Sequence, residues 1–170
     1  MQDCREEEMS IQPPSFKENP LRPEQLKSLS WMLKCESDSN PYFEKVEVEA
    51  IFKPFAWRAE MKASVKSNIR GGILGDQVGF GKTAMMIALV DCSRDAAVIN
   101  SKKSNDSGRI STAATLVIVP KHLPLQWAEE VKKFVGSSMT VIVIKNMVDL
   151  NKLTVGAVLN ADMIICAESI

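Results

Sequence analysis

Histidine and tyrosine are nearly missing from this 170-residue sequence, with one of each, and aromatic residues of all kinds make up only 6% of it. The single histidine, His122, has no second imidazole or cysteine cluster to share a metal with, and no nucleophile to serve, so it reads as a surface residue. The four cysteines, Cys4, Cys35, Cys92 and Cys166, lie far apart with no CxxC pair. That spacing argues against a structural zinc site and against a disulfide-stapled secreted domain, and it fits a reduced intracellular compartment. No apolar run approaches the roughly 18 residues of a membrane span. The opening MQDCREEEMS is acidic and polar where a signal peptide would be basic and then apolar. Net charge is also lacking, because 21 lysines and arginines face 21 aspartates and glutamates. A whole-chain pull toward nucleic acid or membrane is thereby excluded, and any DNA contact has to use a local patch.

What is present is an alternation of short apolar segments with helical patterns. Residues 1–20 are polar and carry Pro13, Pro14 and Pro20 without a sustained apolar period, which predicts a flexible lead-in that carries no chemistry. From Leu21 the residues Leu26, Leu29 and Leu33 recur at three- and four-residue steps with Pro23 in a first-turn position, so a helix of about four turns follows. Residues 45–66 switch to a period of two, with Val46, Val48 and Ala50 and then Trp57, Ala59, Met61, Ala63 and Val65 alternating with charged or polar residues. The expectation is a hairpin of half-buried strands joined by FKPF, with Glu47 and Glu49 set against Arg58 or Lys62.

Four short segments, 71–76, 115–120, 140–144 and 162–166, are apolar on both faces and read as buried parallel strands. The stretch 83–90 is an all-round apolar helix, and 123–135 is an amphipathic one with Trp127, Val131, Phe134 and Val135 on its apolar side. The fold class is α/β: a parallel sheet flanked by helices, with a β-hairpin insertion. The polar run 91–114 is expected to be a flexible surface loop. The sequence stops at Ile170 just after the fourth core strand, so the lobe at 21–170 is expected to be incomplete.

Asp76-Gln77-Val78-Gly79-Phe80-Gly81-Lys82-Thr83 follows a predicted strand and opens a predicted helix, the setting a phosphate-binding loop needs. Glycines at 79 and 81 let successive N–H groups point inward, and the new helix aims its positive end at the same spot. Lys82 would reach the β and γ phosphates, and the Thr83 hydroxyl would coordinate Mg²⁺. The strict pattern GxxxxGK[ST] has glycine where Asp76 stands, with Gly75 displaced by one. A glycine-rich structural turn is the competing reading.

The run GGILGDQVGFGKTAMMIAL (71–89) resembles the first motif of the SWI/SNF-like helicase-related ATPases, which have an aspartate followed by an acidic or amide residue at that place. LRPEQLKSLSWML (21–33) is similar to their adenine-reading segment, TLVIVPKHLPLQWAEEVKKF (115–134) to their motif Ia and ADMIICAES (161–169) to their motif Ib. These stretches stand in the family's order and cover about half of the chain. The resemblance implies a P-loop NTPase with a partial RecA-like first lobe that binds ATP and Mg²⁺ through Asp76, Gln77, Val78, Gly79, Phe80, Gly81, Lys82, Thr83 and Ala84. Lys82 and Thr83 are the catalytic residues, and Thr83 is the Mg²⁺ ligand. Gln25 would read the adenine edge, since an amide donates and accepts at once, with Arg22 nearby. Otherwise Gln25 is an exposed helix residue.

The family grips DNA backbone through the loop that here is Pro120-Lys121-His122, so Lys121 and His122 are candidate phosphate contacts; the alternative is a solvated helix start. Arg58, Lys62, Lys66 and Arg70 form a mildly basic stretch that either faces DNA or is an ordinary solvated strand face.

Phosphoryl transfer to water needs an acidic pair and an arginine. In the family these come from a DExH-type motif and from a second RecA-like lobe, and neither occurs among these residues. The expected parent is a nuclear ATP hydrolase that translocates on double-stranded DNA in chromatin remodelling or DNA repair, possessing accessory RING inserts in one subgroup. This chain is its ATP-binding portion, without turnover of its own. Two alternatives stay open: another P-loop NTPase such as a small-molecule kinase, and a noncatalytic truncated interaction module.

Overall fold

Pro23 has no N–H to lose and a backbone already set for a helix, and it opens α1 (Pro23–Ser37) in the computed structural model, which describes residues 7–37, 41–68, 71–103 and 110–170. The elements that follow are β1 (Pro41–Phe52), a 3₁₀ turn (Lys53–Phe55), β2 (Trp57–Asn68), α2 (Lys82–Lys103), β3 (Thr115–Val119), α3 (Pro124–Val135), β4 (Val141–Ile144), α4 (Met147–Asn151), α5 (Val155–Leu159) and β5 (Met163–Ala167). They divide into two compact units, one of residues 1–33 and 74–170 and the other of residues 34–73.

In the larger unit β3, β5 and β4 form a parallel sheet in that order, with Leu116, Ile164 and Ile142 in register across it. One face meets α2 and α3, where Met85, Ile87, Val131, Met163 and Ile165 are all but sealed from water. The other face holds a smaller cluster of Ile144, Ala161 and Ile164, with Leu153 and Val158 beside it. Leu116 and Ile118 of the edge strand β3 are exposed on it. Parallel strands read as apolar on both faces because sheets of this kind are covered on both, and here the second face is covered only on the β4 side.

Outside the hairpin, three expectations change. The strand expected at 71–76 does not form: these residues make no ladder, and three of the six are glycines, Gly71 with a φ of +117° that no pleat accommodates. Leu74 nonetheless packs on the core. The loop expected at 91–114 is helical through Lys103, because Asp91, Cys92, Ser93 and Arg94 continue the turns of α2 with only one side turned to the interior; residues 104–109 lie outside the described residues. The lead-in is laid on the core from Ser10 to Leu21. Phe16 is 2% exposed and stacks on Phe134 at 5.2 Å between centroids. The Asp91 carboxylate, itself buried, accepts from the Ser15 N–H and Oγ at 2.9 Å each.

The smaller unit is the hairpin, with β1 and β2 antiparallel and Glu47 directly opposite Lys62. Arg58 pairs with Glu49 at 3.0 Å, and Lys62 with Glu47 at 3.3 Å and Glu60 at 3.0 Å. These exposed pairs are worth little each, roughly 0.2–1 kcal/mol, but they set the charge of that face. The turn closes on Ala56 in the left-handed region at φ 50°, its N–H donating to the Lys53 carbonyl. Val46, Val48, Phe52, Trp57 and Met61 share the opposite face and are exposed, not half-buried as their alternation implies. Two strands alone cannot shade a face from water.

Candidate functional site

Arg22 stands just before Pro23, so Gln25 falls in the third helical position. From there its Oε1 reaches back to accept from the Arg22 N–H at 2.9 Å, the glutamine half of a capping box. Its Nε2 donates to the Phe80 carbonyl at 2.8 Å, and the Arg22 guanidinium donates to the same oxygen at 3.2 Å while lying 5.8 Å from the centre of the Phe80 ring. Gln25 is therefore a buried connector between α1 and the loop ahead of α2. It has spent one N–H and one lone pair and retains the other of each.

That loop turns on two glycines, Gly79 at φ +87° and Gly81 at φ +83°. The Phe80 N–H donates to the Gln77 carbonyl at 3.3 Å, and the Met85 N–H to the Gly81 carbonyl at 3.1 Å, which starts α2. Among the described residues no backbone carbonyl accepts from the N–H groups of Val78, Gly79, Gly81 or Lys82, so the concavity keeps its donors. The Lys82 ammonium folds back into it, donating to the Asp76 carbonyl at 2.7 Å and the Gln77 carbonyl at 2.9 Å. Val78 stands 99% exposed at the rim. Thr83 and Ala84 follow on the first turn of α2, Thr83 half-buried and Ala84 buried.

A cavity of about 760 Å³ lies between loop and helix. Pro23, Glu24, Gln25, Lys27 and Ser28 form one wall, and Gly75, Asp76, Gln77 and Phe80 face them. Met85 and Met9 complete it. This volume is within the range of small-ligand sites. The donor set fits a polyanion: backbone N–H groups, one ammonium, and the positive end of a 22-residue helix. For Mg²⁺ the fit is partial. Thr83 supplies one oxygen, and no group of three or more His, Cys, Asp or Glu converges among the described residues, so the phosphates themselves would carry most of the ion.

Arg22, Gln25, Asp76, Gln77, Phe80 and Lys82 are thus brought together. Lys121 and His122 are not part of this cavity. They are exposed on the turn between β3 and α3, where the Leu123 N–H donates to the Pro120 carbonyl at 2.8 Å. The Glu168 N–H donates to the Val119 carbonyl at 2.9 Å, so the ends of β3 and β5 meet there. Of the basic stretch, Arg58 and Lys62 are paired with Glu47, Glu49 and Glu60, as on a solvated strand face, Lys66 is exposed, and Arg70 lies outside the described residues. Sequence reasoning missed Met9, Pro23, Glu24, Lys27, Ser28, Gly75 and Met85 as wall residues, and Met9 lies in a segment read as carrying no chemistry.

A family model described as SNF2-related domain matches residues 24–169. A DNA (cytosine-5-)-methyltransferase DMT5 of Cryptococcus neoformans is 41% identical over 162 residues, 94% of this chain and 7% of that protein. The protein of the same name from Verticillium dahliae is 32% identical over 143 residues, 81% of this chain and 6% of its own length. The DNA repair protein RAD5 of Candida albicans is 30% identical over 106 residues, 61% of this chain and 9% of that protein. The chain therefore spans less than a tenth of the length of these relatives.

Proposed function

The chain belongs to the SNF2-related domain family, and from that premise we propose that residues 76–84 are the phosphate-binding loop of a SWI/SNF-type, DNA-dependent ATPase acting in chromatin or DNA repair in the nucleus. The sheet and its helices are then part of a RecA-like first lobe with the hairpin as an insertion. The observation that carries the reading is the seat of Lys82, whose ammonium rests on two carbonyls of a loop in which the N–H groups of Val78, Gly79, Gly81 and Lys82 have no backbone acceptor among the described residues. On binding ATP, Lys82 trades two neutral carbonyl acceptors for anionic phosphate oxygens, and charge-assisted hydrogen bonds are the stronger kind. The Thr83 hydroxyl takes one coordination position of Mg²⁺. Gln25 offers its remaining N–H and lone pair to the adenine edge, with Arg22 holding the loop alongside. Lys121 and His122 contact backbone phosphate of duplex DNA, a sequence-independent role in keeping with the DNA-acting names of the relatives.

These residues bind and orient; an acidic pair to position water and an arginine to neutralise charge are required besides. The 170-residue chain is accordingly expected to bind MgATP with turnover at background level. The test is equilibrium binding of MgATP by calorimetry to the chain and to Lys82→Ala. Loss of roughly tenfold or more in affinity supports the reading, and equal affinity of the two proteins overturns it. DNA-stimulated hydrolysis by these residues alone would refute the expected lack of turnover.

A further inference from the structure

The cavity beside the phosphate-binding loop has one wall that phosphate binding does not explain. Met9 lies on it, a large apolar side chain 58% exposed, in a segment with no secondary structure. Exposure of one methionine is ordinary. What sets Met9 apart is how firmly its segment is tied down. The Ser10 N–H donates to the Leu26 carbonyl at 3.3 Å, next to Gln25. Gln12 grips Leu21 at both backbone groups, its Nε2 donating to the carbonyl at 2.7 Å and its Oε1 accepting from the N–H at 3.0 Å. Farther along, Ser15 donates twice to buried Asp91, and Phe16 is sealed against Phe134. Four anchors in seven residues hold this strap on α1, α2 and α3, and they deliver Met9 to the mouth of the cavity.

We propose that Met9 is a base-contacting residue of this nucleotide site: its thioether lies against the flat face of the purine ring while Gln25 reads the ring's edge. The inference rests on the reading of the loop as a nucleotide site and adds where the base goes and what holds it. The cavity's chemistry is divided accordingly. Lys82 reaches the cavity's edge through the Asp76 and Gln77 carbonyls and suits the polyanionic tail, whereas Met9 and Pro23 offer apolar surface in the same lining as the Gln25 amide. A purine needs both, an amide for its polar edge and a polarizable surface for its face, and a thioether contacts π-systems favourably. The strap is then a wall of the site and not a lead-in to it.

The experiment uses the full 170-residue chain with two probes, MgATP and magnesium tripolyphosphate, which keeps the anionic tail and lacks the base. Met9→Ala should weaken MgATP binding roughly two- to tenfold, the range of a thioether–ring contact, and leave tripolyphosphate binding unchanged. Met9→Leu, which preserves bulk, should recover most of the loss. Lys82→Ala should weaken both probes. If wild type and Met9→Ala bind MgATP equally, or if tripolyphosphate is lost in parallel, Met9 does not touch the base and the inference falls while the loop reading stands. If wild type binds neither probe, the loop reading falls and this inference with it. Since Met9 is exposed, an unchanged circular dichroism spectrum is expected for both variants. A changed spectrum for Met9→Ala with intact Met9→Leu shifts the decision to the leucine variant, whose loss of MgATP binding to the level of a missing side chain would also overturn the proposal.

Discussion

A methyl group is enough to distinguish the two glycines of the loop. A Cβ added to Gly79 meets nothing within 4 Å, so Gly79→Ala costs only the left-handed backbone, about 1–2 kcal/mol. A Cβ on Gly81 would sit 2.5 Å from the Gln25 Nε2, so Gly81→Ala carries the same backbone cost and also drives the amide off the Phe80 carbonyl. Gly81→Ala is expected to weaken MgATP binding more than Gly79→Ala in parallel titrations; equal losses would show that the Gln25 contact plays no part. The glycines and Lys82 were readable in the sequence, because a positive φ and a phosphate each demand one residue type. The occupancy of Gln25 was not. A glutamine at the third helical position announces a cap, but its bond to Phe80, 55 residues away, depends on how the chain ahead of α2 is brought back to α1.

At the scale of elements, α1 ends under an electrostatic handicap. Partial burial raises the pKa of Glu36 above the usual carboxylate value although the residue keeps an exposed surface, and it lies in the last turn of the helix, where the dipole disfavours an anion. A raised folded-state pKa means that this group's favourable contribution is complete below the ordinary carboxylate range and is lost as pH rises through the folded value. Because the side chain is exposed and screened by water, Glu36→Gln is expected to raise Tm only slightly at pH 7, and to leave it unchanged at about pH 2.5, well below the ordinary carboxylate value, where the carboxyl is protonated in both states. A gain of the same size at both pH values would mean that packing, not charge, is responsible. The helix starts were legible: Pro23 and Pro124 each stand at the first position of their helix. The ends were harder. Asp91, Ser93 and Arg94 look like a polar loop until the strap and the turn after α3 supply partners for Asp91 and Arg94, the latter donating to the Ser138 carbonyl at 2.6 Å.

The molecule as a whole is built of parts with unequal cover. Ile165 and Met163 in β5 are flanked on both sides by strands and are fully buried, whereas the hairpin is a two-stranded ladder whose apolar face is in water. Local opening free energy follows buried apolar contact, so amides of β5 are expected to be among the slowest to exchange with deuterium and those of β1 and β2 among the fastest within strands. Protection of the hairpin equal to that of β5 would contradict two separately stabilised units.

Local chemistry was carried by the sequence alone: the period-two hairpin, the three apolar strands at 115–119, 141–144 and 163–167, the helix starts and the glycine–lysine loop, since each depends on neighbours a few residues away. The side of Glu47 and Glu49 was expected against Arg58 or Lys62, and the folded register sets Glu47 opposite Lys62. Tertiary structure decided the rest. It withheld a ladder from 71–76, which is apolar enough for a strand and has no partner beside it among the described residues. It turned the polar opening segment into a wall by burying Phe16 and pairing Ser15 with Asp91, contacts 76 residues apart that no local pattern encodes. Periodicity reports which residues want company, and only the folded chain assigns the company they keep.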